Sequence, residues 1–160
     1  MKSVIREARE RVRMTCVMLG LFTLLVTIGC QELPPLSEQE RLVQNRQLTV
    51  LQITPKAVVN VWGKPVYHHS EFTQFFVMPD KTMIPRSRVA VGEAPVGWEA
   101  GFEAGEGVFL GYPDQGWLLV FFEDRLVYRE ELKAEEVHTL GKVWQHEERF
   151  KTRLDGAPPR

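Results

Sequence analysis

The first 29 residues constrain this chain most, because they remove themselves from the folding problem. Met1 to Arg13 carries Lys2, Arg6, Arg9, Arg11 and Arg13 against Glu7 and Glu10, and an uncharged, mostly apolar run of 16 residues follows from Met14 to Gly29. A net-positive start stays on the cytoplasmic side of a membrane. A bilayer crossing takes about 20 apolar residues, so the run reads as the apolar region of an export signal rather than a permanent span. An uncleaved signal-anchor helix is the alternative.

The tetrad Thr27-Ile28-Gly29-Cys30 resembles the lipobox of bacterial lipoprotein precursors, with a small residue directly before the cysteine and apolar Val26 and Ile28 upstream. Thr27 departs from the usual Leu or Val. The resemblance implies cleavage after Gly29 and lipidation of Cys30. It also implies acylation of the new amine, and several chains hold a membrane stably where one is marginal. Gln31, rather than Asp, follows the cysteine, which implies the outer membrane, facing the periplasm, over the inner membrane.

The expected organisation is therefore a signal peptide over 1–29, a lipidated cysteine and tether over 30–37, one domain over 38–150, and a flexible tail over 151–160. From Cys30 onward 15 basic residues face 19 acidic ones, a balance that excludes nucleic-acid binding as a default. Cys16 leaves with the signal and Cys30 is spent on lipid, so no thiol remains for a disulfide, a nucleophile or a metal. The domain must be held by its core alone, although its compartment would permit disulfides.

Pro34-Pro35 suits a short tether. Ser37 with Glu40 three residues on is a capping-box pattern, predicting a short helix to about Leu48. Thr54 as N-cap, Pro55 at the first position, Ala57 to Trp62, then Gly63 and Pro65 predict a second. The period then shortens. Tyr67 to Met78 reads as a strand, Pro79-Asp80-Lys81 as a turn, and Arg86 to Gly107, rich in glycine, as a long irregular connection or a strand pair with an excursion. Val108-Phe109-Leu110, a turn over 111–116, Trp117 to Phe122, Glu123-Asp124 and Arg125 to Tyr128 predict a hairpin and meander. A last helix is expected from Lys133 to about Arg149, with Val137, Leu140, Val143, Trp144 and Phe150 on one face and Gly141 costing about 1 kcal/mol inside it. The fold class is α+β: short N-terminal helices packed on an antiparallel meander, with an added C-terminal helix.

Chemistry is sparse. His68 and His69 are adjacent in a strand and point to opposite faces, while His138 and His146 are more than two helical turns apart. Glu130-Glu131, Glu135-Glu136 and Glu147-Glu148 sit among Lys and Arg as solvated faces. No nucleophile-elbow, zinc-helix or phosphate-loop pattern is present. No metal or cofactor is expected, and an enzyme using His68 or His69 with a neighbouring carboxylate is the least favoured reading. Aromatic residues are more informative. Phe75-Phe76 and Phe121-Phe122 each place one ring on either face of a strand, and a face not packed on helices must meet solvent or a partner.

Ile53 to Pro65 is similar to the short helix and Gly-x-Pro turn of the SmpA/OmlA lipoproteins, and Leu118 to Val127 to their final hairpin. Gln52-Ile53-Thr54 departs from that family's usual helix opening, and the glycine-rich stretch and C-terminal helix have no counterpart in its minimal domain. The resemblance implies two helices on an antiparallel sheet and a place beside the machinery that assembles outer-membrane barrels. The expected function is that of a non-enzymatic outer-membrane lipoprotein, binding or bracing an envelope protein complex. Cys30 would be lipidated, and Trp98, Phe102, Phe76 and Phe122 are the candidate contacts. The alternative is a periplasmic ligand-binding module with an aromatic pocket under a loop over 91–107.

Overall fold

The computed structural model describes residues 32–99 and 101–154, with side chains through Glu148. The expected signal peptide and Cys30 lie outside the described residues. The elements are α1 (Leu36–Gln44), α2 (Pro55–Trp62), β1 (Tyr67–Val77), β2 (Met83–Pro85), β3 (Gly101–Tyr112), β4 (Trp117–Phe122), β5 (Arg125–Glu131) and α3 (Ala134–Leu154). The strands form one antiparallel sheet in the order β2-β1-β3-β4-β5. The expected α+β class, with helices before the sheet and one after it, is the observed one.

Helix α1 starts one residue before the expected cap. Pro35, at φ −52° and ψ 148°, occupies the N-cap, and its carbonyl accepts from the Glu38 and Gln39 amides. Ser37 therefore lies inside the first turn, and Glu40 reaches across to the Asn60 amide at 2.6 Å instead of closing a capping box. The helix ends at Gln44 rather than near Leu48, because Arg46 turns the chain at φ 56°. Leu48 is still fully buried. Helix α2 is as expected: Thr54 Oγ1 accepts from the Ala57 amide, Pro55 opens the helix, and Gly63 ends it at φ 81°, a conformation that suits glycine.

A buried glutamine joins these two helices. Gln39 Nε2 donates to the Pro34 carbonyl at 2.7 Å, and its Oε1 accepts from the Thr54 amide and hydroxyl at 3.0 and 2.8 Å. Its amide is thus satisfied at both ends, as a buried polar group must be.

Strand β3 corrects the reading of the glycine-rich stretch. Gly101 to Gly107 is no excursion; it pairs with β1 residue for residue, from Val77 opposite Gly101 to Tyr67 opposite Gly111. Glycines dominate there because large rings cross above them: a side chain on Gly105 would collide with Phe122, and one on Gly107 with Phe75 and Phe109. The irregular connection shrinks to residues 86–99 among the described residues, with a 3-10 turn at Arg86–Arg88. Between β4 and β5, Glu123 and Asp124 both have positive φ, 49° and 58°, which makes the two-residue loop a type I′ turn.

Each face of the sheet has its own core. On the first, Leu110, Tyr112, Leu119, Phe121 and Leu126 pack under Leu42, Val43, Ala57 and Val58 of α1 and α2. On the second, Phe75, Phe109, Leu118, Val120 and Val127 pack with Leu140 and Trp144 of α3. A register shift after Val120 lets the neighbours Val127 and Tyr128 both serve the second core, while Leu126 faces the first. Helix α3 runs through Leu154, beyond the expected end. It buries Val137, while Val143 is half-exposed rather than core-facing. The Phe150 side chain lies outside the described residues. Gly141 sits where the Tyr67 ring lies against the helix, and a methyl there would overlap the ring.

Candidate docking surface

Helices α1 and α2 cover only part of the first face. They sit over the C-terminal half of β3 and over β4 and β5, leaving the even-numbered residues of β1 and the start of β3 uncovered. His68, Ser70, Phe72 and Gln74 on β1 and Phe102, Ala104 and Glu106 on β3 are all exposed. Phe72, directly opposite Glu106, is 80 % exposed.

Three of the four expected contact residues meet at one corner of this strip. Phe76 and Phe102 are cross-strand partners with ring centroids 5.1 Å apart. Trp98 arrives from the connection and packs on both, at 4.6 Å from Phe102 and 5.2 Å from Phe76. Such offset and edge-on pairs are favourable beyond simple burial. The indole is fixed by its Nε1 donating to the Gly101 carbonyl at 2.8 Å. The Arg86 guanidinium lies 5.6 Å from the centre of the Phe76 ring and donates to the Ala90 and Glu93 carbonyls, tying the connection down. Phe76 is buried by this arrangement, whereas Phe102 remains almost half-exposed and Val91 and Val96 almost wholly so. Glu93, Glu99 and Glu106 are exposed around these side chains.

Phe122 does not belong with the other three. Pairing through Gly107 puts it on the second face, where its ring packs 5.2 Å from Phe75 above Gly105. Strand alternation separates it from Trp98: Phe76 and Phe121 point one way, Phe75 and Phe122 the other. Arg86, which steadies the corner, carried no sequence signal, since its contact with Phe76 depends on how the connection folds back.

The histidines divide as expected on β1. His68 is exposed, and His69 is 1 % exposed on the second face, stacked at 5.3 Å on Trp144. Its Nε2 and Nδ1 lie 3.7 and 3.6 Å from carboxylate oxygens of Glu71 and Glu148, beyond hydrogen-bond reach. The ring is closed off from solvent between Phe109 and Trp144. His138 Nδ1 is 2.9 Å from the Tyr67 hydroxyl, a structural contact. Among the described residues no three His, Cys, Asp or Glu side chains converge to hold a metal ion.

The space beneath the 86–99 connection is filled by Trp98, Phe76 and Phe102 themselves, and residues 101–107 are strand. A cleft of about 410 Å³ lies elsewhere, lined by Arg88, Leu132, Glu135, Glu136, Thr139 and Leu140 beside α3. Arg88 there pairs through two bonds with Glu130, at 2.8 and 2.9 Å, and its guanidinium is held charged well above its usual range by that carboxylate.

Comparison with protein-family models, with characterised proteins and with solved structures finds no match.

Proposed function

We propose that this protein is a non-enzymatic lipoprotein of the outer membrane, anchored through Cys30, facing the periplasm, and docking an envelope protein through the uncovered aromatic strip. The single observation that carries the docking reading is the exposure of Phe72, at 80 %, and of Phe102 on a face the helices leave uncovered, beside a corner made rigid by Trp98, Phe76 and Arg86. Rigid aromatic anchors within a polar rim are the usual core of a protein interface. The acidic rim of Glu93, Glu99 and Glu106 disfavours an anionic lipid surface and suits a partner carrying Lys or Arg. The lipobox-like tetrad and the charged, short apolar start support the anchor. The similarity to SmpA/OmlA lipoproteins supports a partner in barrel assembly. A ligand pocket under the connection is the weaker reading, because the protein's own rings occupy that space.

The test is crosslinking of the membrane-anchored protein in cells, followed by identification of what co-purifies from detergent-solubilised outer membranes. Barrel-assembly subunits should be recovered stoichiometrically, and both Phe102→Glu and Cys30→Ala should lose them. Recovery undiminished in Phe102→Glu would sink the docking reading, and recovery undiminished in Cys30→Ala the anchor.

A further inference from the structure

Two rings stand on the same face of β1, four positions apart, and their surroundings differ. Phe76 has a cation from its own chain, the Arg86 guanidinium 5.6 Å from the centre of its ring. Phe72 has none, and among the described residues no other ring lies against it. Directly across the sheet from Phe72 stands Glu106, whose carboxylate makes no hydrogen bond or ion pair with any described residue. The exposed residues of the strip include no Lys or Arg, so this carboxylate is uncompensated. Directly opposed residues have Cβ atoms about 4.5–5.5 Å apart. The open ring and the carboxylate therefore border one patch of surface.

We infer that Phe72 and Glu106 together hold an arginine of the envelope partner, its guanidinium stacked on the ring and forked onto the carboxylate. This rests on the docking reading above and names what the partner brings to the strip. A cation is attracted to a ring face within about 6 Å of its centre, and a guanidinium bonds a carboxylate through two parallel N–H groups at about 2.7–2.9 Å. A planar guanidinium can do both at once, whereas an ammonium is a compact, strongly hydrated point charge. Arg86 against Phe76 is the same ring-and-guanidinium pairing, already made on this face. A purely apolar partner laid over the strip would bury the Glu106 carboxylate without a cation, which is costly. The second contact fixes a spacing. Phe102, opposite Phe76 and almost half-exposed, lies four strand positions from the Phe72–Glu106 pair, roughly 13 Å away. In an extended partner segment, an apolar side chain four residues from the arginine reaches it.

The experiment uses the full chain in non-ionic detergent and two fluorescent peptides read by anisotropy, one with arginine and, four positions on, leucine among serines, the other with lysine in place of the arginine. The arginine peptide should bind at least about fivefold more tightly than the lysine peptide, because only the guanidinium stacks and forks together. Phe72→Leu, which keeps an apolar side chain, should weaken it by about fivefold, the worth of an exposed cation–π contact. Glu106→Gln should weaken it by up to about fivefold, the worth of an exposed ion pair. Both substitutions fall on exposed side chains, so the urea midpoint should stay in place. Equal affinity for the two peptides, an unchanged affinity in Glu106→Gln, or no binding at millimolar peptide would overturn the inference. The docking reading fails separately. Partner recovery in cells that is lost in Phe102→Glu but undiminished in Phe72→Leu and Glu106→Gln would leave docking standing and overturn the arginine contact. Selective binding of the arginine peptide beside undiminished recovery in Phe102→Glu would uphold the arginine contact and sink docking through the corner.

Discussion

Replacing Gly141 with alanine tests how α3 is held. By helix propensity alone the change should stabilise, since glycine inside a helix costs about 1 kcal/mol relative to alanine. Packing argues the opposite. Gly141 is buried, and a methyl there would overlap the Cγ, Cδ1 and Cε1 atoms of Tyr67. The ring cannot easily step aside. Its hydroxyl is bonded at 2.9 Å to His138, less than one turn earlier on the same helix, and its Cβ is pressed against Gly111. Overpacking of this kind costs about 1–3 kcal/mol, and losing the hydroxyl contact adds about 1 kcal/mol. Set against the propensity gain, the net effect is destabilisation by about 1–3 kcal/mol. Urea unfolding followed by far-ultraviolet circular dichroism, with Trp144 fluorescence reporting on α3, measures it. A double-mutant cycle isolates the cause. With Tyr67→Ala already present, Gly141→Ala should become stabilising by about 1 kcal/mol, giving a coupling of about 2–4 kcal/mol. If Gly141→Ala stabilises the unaltered protein, or destabilises it equally with and without Tyr67, the packing argument is refuted.

Gln39→Leu should destabilise by about 1–3 kcal/mol despite its greater hydrophobicity, because the Thr54 amide and the Pro34 carbonyl lose their buried partner; the urea midpoint shows it. Burial pushes the hydroxyls of Tyr112 and Tyr128 up to about 12, so the fold favours their neutral forms. That stability is complete below about pH 10, where a tyrosine in the unfolded chain ionises, and is lost as pH rises towards 12. Tyr112→Phe should flatten the alkaline fall in unfolding midpoint between those limits, and an unaltered fall would count against the assignment. Trp98→Ala should loosen the corner without unfolding the domain. Near-ultraviolet dichroism should drop and partner recovery should fall, while the urea midpoint moves by less than that of Gly141→Ala.

How much was legible in the chain varies with the range of the interaction that decides it. Helix α2 could be read to the residue because Thr54, Pro55 and Gly63 act on their own backbone neighbours. The meander from Val108 to Tyr128 was equally plain, since alternation and a two-residue turn are local signals. The cap of helix α1 lies two residues before the expected Ser37, because the Pro35 carbonyl, read as part of the tether, accepts the first helical amides, and Glu40 took a partner 20 positions away. The glycines of β3 read as irregularity because glycine disfavours a strand by itself. Their reason is the rings of Phe75, Phe109 and Phe122 lying across them, and that exists only after the sheet forms.

The sequence by itself determined the lack of thiols after Cys30, the two faces of Phe75-Phe76 and Phe121-Phe122, and the α+β class, because composition, spacing and strand period are properties of neighbours along the chain. Tertiary structure decided which faces the helices cover. It placed Trp98 against Phe76 and Phe102, sent Phe122 to the other side, and sealed His69 under Trp144. Those outcomes depend on contacts between residues distant in sequence, for which a one-dimensional pattern carries no record: burial is a property of the assembled surface, not of the residue.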